Sequence, residues 1–193
     1  MQLIVITSPK IVEQESKKIN VLFESGLKIL HIRKPNFNKK EYIDLLEGIK
    51  EEYHTRIKIH AFFELVNKYN LLGVHLNARN LHYMENKIVN ISKSCHSIEE
   101  LGKIDMYDYV FLSPIFDSIS KKGYRSNFSD EILTAASLTG KINKKVIALG
   151  GINKDTLPMV KKYGFGGVAV LGCIWNTLPN VSCHCYRNHP IVY

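Results

Sequence analysis

"KVIALGGINKDTLPMVKKYGFGGVAVLG", residues 145–172, reads as one strand–helix–strand unit. "KVIALGG" (145–151) and "GGVAVLG" (166–172) are short, apolar, β-branched runs of the kind that form strands buried on both faces. Between them, Asn153 or Thr156 can open a helix that carries Met159 and Val160. Pro158 is tolerable only in the first turn of that helix, and Gly164 stands where a helix-ending glycine belongs.

The same alternation runs outward along the chain. Further strand-like runs are "LIVITS" (3–8), "LKILHIRK" (27–34), "IKIHA" (57–61), "GVHL" (73–76), "ISKSCH" (91–96) and "YVFLSP" (109–114). Asn38 with Glu41, and Ser97 with Glu100, have the spacing of a capping box. Tyr42, Ile43, Leu45, Leu46 and Ile49 then fall on one helical face, and Gly26 and Gly140 follow helical stretches as Gly164 does. Strands alternating with helices imply a parallel sheet with right-handed crossovers. Eight of them predict an α/β fold, a compact single-domain (β/α)₈ TIM barrel over residues 1–175. A flavodoxin-like open sheet is the alternative, but no G-x-G-x-x-G turn follows the first strand. Barrels typically need ~250 residues, so the helices and loops here must be short. The remaining "NTLPNVSCHCYRNHPIVY" (176–193) holds two prolines and no amphipathic run, which predicts an irregular tail and an atypical or missing eighth helix. Apolar surface beside the first and last strands would then favour a homodimer, a substitute packing of the tail, or instability.

Composition narrows the function. The chain has 193 residues, 45% of them hydrophobic, enough for one sizeable core. No apolar run approaches the ~20 residues of a membrane helix. The start, "MQLIVITSPK", has no basic leader, so the cytoplasm is the expected compartment. The net charge of +8 comes from scattered lysine pairs with no aromatic-interleaved stripe, which argues against a nucleic-acid partner and allows a phosphorylated small molecule. Cys95 and Cys173 read as buried thiols, and the C-x-C of Cys183 and Cys185 lacks a second ligand pair at zinc-site spacing.

In a barrel, the C-terminal strand ends face the active site. Here they carry Thr7, Ser8, His31, Arg33, Lys34, His60, Asn77, Arg79, Asn80, Ser94 and His96, then Ser118, Ser120 and Lys121, and finally Gly150, Gly151 and Gly172. Hydroxyls, cations, imidazoles and amides with few carboxylates suit a polyanion. "YVFLSPIFDSISKKGY" (109–124) shows this within one stretch, an apolar strand ending in serines and lysines. The glycines of "ALGGI" (148–152) and "VLGCI" (170–174) let backbone N–H groups approach phosphate oxygens, or merely permit tight turns.

"HIRKP", "GVHLNARN", "SCHS", "SPIFDSISKKGY", "ALGGI" and "GGVAVLG", in this order, resemble the thiamine phosphate synthase and thiazole tautomerase (TenI-like) superfamily, over roughly Leu3 to Trp175. The resemblance implies a transferase of thiamine biosynthesis. Such enzymes join hydroxymethylpyrimidine diphosphate to thiazole phosphate and release pyrophosphate through a pyrimidine carbocation. It further implies that Arg33, Ser118, Ser120 and Lys121 hold the leaving pyrophosphate, with serines where threonines are usual. His31 falls where a pyrimidine-contacting glutamine is common, and Ser94 matches a serine near the leaving group. Gly151, Leu171 and Gly172 fall where family members hold the thiazole phosphate by main chain.

Departures accompany the match. The family lysine two positions after the arginine is Pro35 here, with Lys34 adjacent and usable only if the strand has already ended. The family's Asn-Asp-Arg reads His60-Ala61-Phe62, so one magnesium aspartate is an alanine, and the other is Asn80, a weaker metal ligand. Mg²⁺ would then be carried mainly by the substrate pyrophosphate, or be replaced by Arg33, Lys34, Lys121 and a protonated His60. Ala61 and Asn80 support a non-catalytic thiazole-phosphate-binding barrel as the alternative. A tautomerase-like isomerase is a further alternative, although that activity's histidine at the end of strand six reads Ser113-Pro114-Ile115 here.

Overall fold

In the computed structural model, which describes residues 1–80, 90–117, 126 and 128–175, eight parallel strands close into one barrel in chain order. They are β1 (Gln2–Ile6), β2 (Ile29–Ile32), β3 (Ile57–Ile59), β4 (Gly73–Leu76), β5 (Asn90–Cys95), β6 (Tyr109–Leu112), β7 (Val146–Leu149) and β8 (Gly167–Val170). Strand β8 returns to β1 in register, with Gln2 opposite Gly167 and Val5 opposite Val170. All eight expected strands form, and ring closure excludes the open sheet.

The connections explain how a barrel fits this length. Its helices are α1 (Glu15–Glu24), α2 (Lys39–Glu47), α3 (Leu65–Lys68), α4 (Asp130–Leu138), α5 (Leu157–Lys162) and α6 (Gly172–Trp175). The single helix between β3 and β4, α3, has four residues. Between β5 and β6 there is only a 3₁₀ turn, Glu99–Lys103. The Asn38–Glu41 capping box forms in full: Glu41 N–H donates to Asn38 Oδ1 at 3.0 Å, and Asn38 N–H donates to Glu41 Oε2 at 2.7 Å. The second box does not form. Glu100 N–H reaches Ser97 Oγ at 3.4 Å, but the Glu100 carboxylate accepts from His96 N–H instead, and Gly102 disfavours a longer helix. Thr156 precedes α5, Pro158 lies in its first turn, and Asn153 Oδ1 caps the N–H groups of Asp155 and Thr156.

Period-two alternation splits the apolar residues into two cores. Val5, Leu30, Ile32, Ile57, Ile59, Val74, Val110, Val146 and Val168 face outward against the helices. Ile4, Ile6, Tyr109, Phe111, Ile147 and Ala169 fill the barrel interior. The interior is itself divided. The β7, β8 and β1 side is apolar, whereas β2 to β5 contribute the buried polar residues His31, Lys58, His60, His75 and Ser92. That polarity positions the site.

Past β8, the Trp175 indole N–H donates to the Ile6 carbonyl at 2.7 Å, pinning α6 over the β8–β1 seam. The tail 176–193, which holds the place of the eighth helix and the C-x-C pair, lies outside the described residues. No described helix is long and apolar enough to cross a membrane.

Candidate active site

A cleft of about 620 Å³ opens at the C-terminal ends of the strands. Arg33, Lys34, His60, Asn77, Arg79, Asn80, Ser94 and His96 line one side, and Gly150, Gly151, Leu171 and Gly172 line the opposite side. Ile6, Phe111 and Ala169 form an apolar floor. Most of the predicted site residues therefore meet in one place. Ser118, Ser120 and Lys121 lie outside the described residues; of the described stretch after β6, Ser113 and Pro114 line the cleft.

Each wall is built by local bonding. The buried Thr7 hydroxyl donates to the Arg33 carbonyl at 3.3 Å and accepts from Arg33 N–H at 2.8 Å, so the end of β1 fixes the backbone from which Arg33 projects. Asn77 and Asn80 pair across a tight antiparallel bridge, and Asn80 Nδ2 donates to the His60 carbonyl at 2.8 Å. Opposite them, Gly151 takes φ 64°, and a Cβ there would sit 2.5 Å from the Asp117 carbonyl oxygen. The glycine loop thus packs against the loop that carries Asp117.

Three expectations need correction. His31 has no surface in the cleft: it is fully enclosed, with Nδ1 bonded to His60 Nε2 at 3.0 Å and Nε2 to the Tyr109 hydroxyl at 2.6 Å. Its position in β2, one step short of the strand end, places it beneath the floor. Lys34 is beyond the end of β2, as its proposed role required, yet its ammonium is committed. It donates to Glu15 Oε2 at 2.5 Å and to the Lys10 carbonyl at 2.8 Å. His60 is not the protonated cation envisaged. Burial, then the charges of Arg33 and Lys58, push it down to about 3, so it is neutral at pH 7.

Ser92 and Glu15 are the contributors that the sequence reading did not single out. The rings of His31, His60 and His75 cluster below the cleft, and His75 bonds Ser92 and Ser94, each at 2.9 Å. Inward alternation along "ISKSC" was the available signal for Ser92. Nothing in the sequence marks Glu15 as the partner of Lys34.

The described residues do not make a resident Mg²⁺ site. No described residue lining the cleft is a carboxylate, Ala61 offers no side-chain donor, and Asn80 offers at most one neutral amide oxygen. Hard cations require several oxygen ligands. What the arrangement can do is bind anions on two sides, by the Arg33 guanidinium on one and by glycine main chain on the other.

The sequence comparisons agree with this geometry. A sequence model of the family described as thiamine monophosphate synthase matches residues 3–174. A thiamine-phosphate synthase of Clostridium tetani (strain Massachusetts / E88) is 26% identical over 161 residues, covering 77% of this chain and 75% of its own. A crystal structure of thiamine phosphate pyrophosphorylase from Bacteroides thetaiotaomicron is 43% identical with a TM-score of 0.84, covering 97% of this chain and 91% of that one. A thiamine phosphate pyrophosphorylase from Pyrococcus furiosus, 23% identical with a TM-score of 0.69 over 91% of this chain and 88% of its own, supports the fold alone. A closed barrel with anion-binding groups at its strand ends and a family match over nearly its whole length leads to one conclusion: the chain belongs to the thiamine monophosphate synthase family.

Proposed function

We propose that this chain is a thiamine-phosphate synthase, a transferase of thiamine biosynthesis that joins hydroxymethylpyrimidine diphosphate to thiazole phosphate and releases pyrophosphate. The observation that carries this reading is the two-sided cleft, with Arg33, His60 and Ser94 facing Gly151, Leu171 and Gly172 across one opening. A binder of one phosphate needs only one of these walls. In the reaction, the bond from the pyrimidine methylene to the diphosphate oxygen breaks and a bond from that carbon to the thiazole forms. Negative charge gathers on the departing diphosphate, where Arg33, Ser118, Ser120 and Lys121 stabilise it by charge-assisted hydrogen bonds. Neutral His60 borders the pyrimidine, and the Ser94 hydroxyl lies near the leaving group. The main chain of Gly151, Leu171 and Gly172 holds the thiazole phosphate. Any Mg²⁺ would be carried by the diphosphate as its counter-ion, with Asn80 at most an outer contact. Residues 1–175 form the catalytic barrel and 176–193 an appended tail, in a cytoplasmic enzyme that pairs as a homodimer.

The absence of carboxylates among the described lining residues favours a second reading, a non-catalytic thiazole-phosphate-binding barrel. Pyrophosphate release on mixing both phosphorylated precursors, with and without Mg²⁺, decides between them. Turnover supports the synthase. Saturable thiazole-phosphate binding without release of pyrophosphate would establish the alternative.

A further inference from the structure

We propose that His31, His60 and His75 form a binding site for one divalent first-row transition ion of the Zn²⁺ or Co²⁺ type, directly beneath the cleft floor. The three imidazoles come from neighbouring staves, His31 on β2, His60 just after β3 and His75 on β4, and each offers a ring nitrogen within 4.8 Å of the others. In a tetrahedral site with metal–nitrogen bonds of about 2.0–2.1 Å, ligand nitrogens lie roughly 3.3 Å apart. The His31–His60 pair is already at 3.0 Å. The widest gap therefore closes by roughly 1.5 Å. His60 and His75 lie nearly face to face, 4.3 Å between centroids at 23°, so one ring must turn edge-on to the ion. His60 borders the open cleft and is the ring placed to turn.

The chemistry of the donors selects the ion. Imidazoles without carboxylates suit zinc, cobalt, nickel or copper rather than magnesium or calcium. Coordinating histidines are usually steered by a hydrogen bond to the other ring nitrogen. Here the Tyr109 hydroxyl holds His31 Nε2 at 2.6 Å, and Ser92 holds His75 Nδ1 at 2.9 Å. The proton now shared between His31 and His60 moves to the far nitrogen of its own ring, and His75 keeps its proton on Nδ1 while Nε2 exchanges its bond to Ser94 for the ion, so the count of protons is unchanged. Burial keeps all three rings in the neutral form that coordinates. A water completes the shell or, on the side where His60 borders the cleft, an electron-pair donor atom of a bound heterocycle.

The test is a Co²⁺ titration of the tag-free, full-length, chelator-treated protein, followed by Zn²⁺ competition and read by visible absorption and calorimetry. One equivalent of Co²⁺ should bind with the intense d–d bands of a four-coordinate ion, without a thiolate charge-transfer band, and be displaced by Zn²⁺. His60→Ala should weaken binding beyond the ~100-fold typical of losing an outer partner, and Ser92→Ala by roughly 10–100-fold. If a variant misfolds, long-range nitrogen NMR of the wild-type protein decides instead: Zn²⁺ should shift ring nitrogens of three buried histidines, and unshifted nitrogens would overturn the proposal. A thiolate band would place the ion on the Cys183–Cys185 tail and overturn it equally. So would substoichiometric binding, or unchanged affinity in folded His60→Ala. The synthase reading would survive each of these failures, because none of them measures turnover.

Discussion

Lys34 and Glu15 are both buried, and burial is the largest influence on each, raising the Glu15 carboxyl and lowering the Lys34 ammonium from their ordinary ranges. Glu15 Oε1 has no hydrogen-bond partner, so this pair leaves part of its desolvation uncompensated. Glu15→Gln should therefore lose about 3 kcal/mol in urea unfolding by stranding a buried ammonium, while the double change Glu15→Leu with Lys34→Met should recover most or all of it. Arg33 behaves differently because it is exposed in the cleft. Arg33→Ala should reduce kcat/KM for pyrophosphate release by ~10²-fold or more and leave thiazole-phosphate affinity within a few fold. Lys121→Ala should abolish synthesis with the same sparing of binding, and equal loss of both would contradict the division of labour between the two walls. Arg33 and Ser94 were legible because the strand-end rule points at them. His31 was misjudged because depth within a barrel depends on stagger between strands, which periodicity along one strand does not report. The Lys34–Glu15 pair was illegible because it joins two elements whose approach angle only the closed ring defines.

Among the elements, β4 packs tightly against β5 at Gly73, where a Cβ would lie 1.9 Å from the Asn90 carbonyl oxygen. Gly73→Ala should destabilise the protein by about 1–3 kcal/mol or more, with the loss concentrated in faster unfolding or in insoluble expression. The buried histidines of β2 to β4 also predict an acid limb in the metal-free protein. The folded value of His60, about 3, lies below its ordinary 6.5, so its contribution to stability is complete above pH 6.5 and is lost as pH falls toward 3. Urea midpoints measured at pH 7, 5 and 4 should fall in that order, and His60→Asn should flatten the slope; a flat wild-type profile would refute neutral burial. At this scale the sequence was most readable, since apolar periodicity and the Asn38 box located strands and helices directly. The Ser97–Glu100 spacing misled because a capping box specifies how a helix starts and not whether the following residues sustain it.

For the whole molecule, ring closure gathers eight strand ends into one opening, so residues as distant in sequence as Arg33 and Gly172 share a cleft. The count of strands and the order of the motifs made that assembly legible. The split of the interior into apolar and polar halves was not, because it emerges only once β2 to β5 stand side by side. Trp175 is the sole tryptophan, and its indole bridges to Ile6 across the meeting point of the first and last strands. The chain thus carries a native optical gauge at its own suture. Indole emission should shift in the same denaturant transition as far-ultraviolet dichroism if the ring opens all at once, and ahead of it if this join parts first.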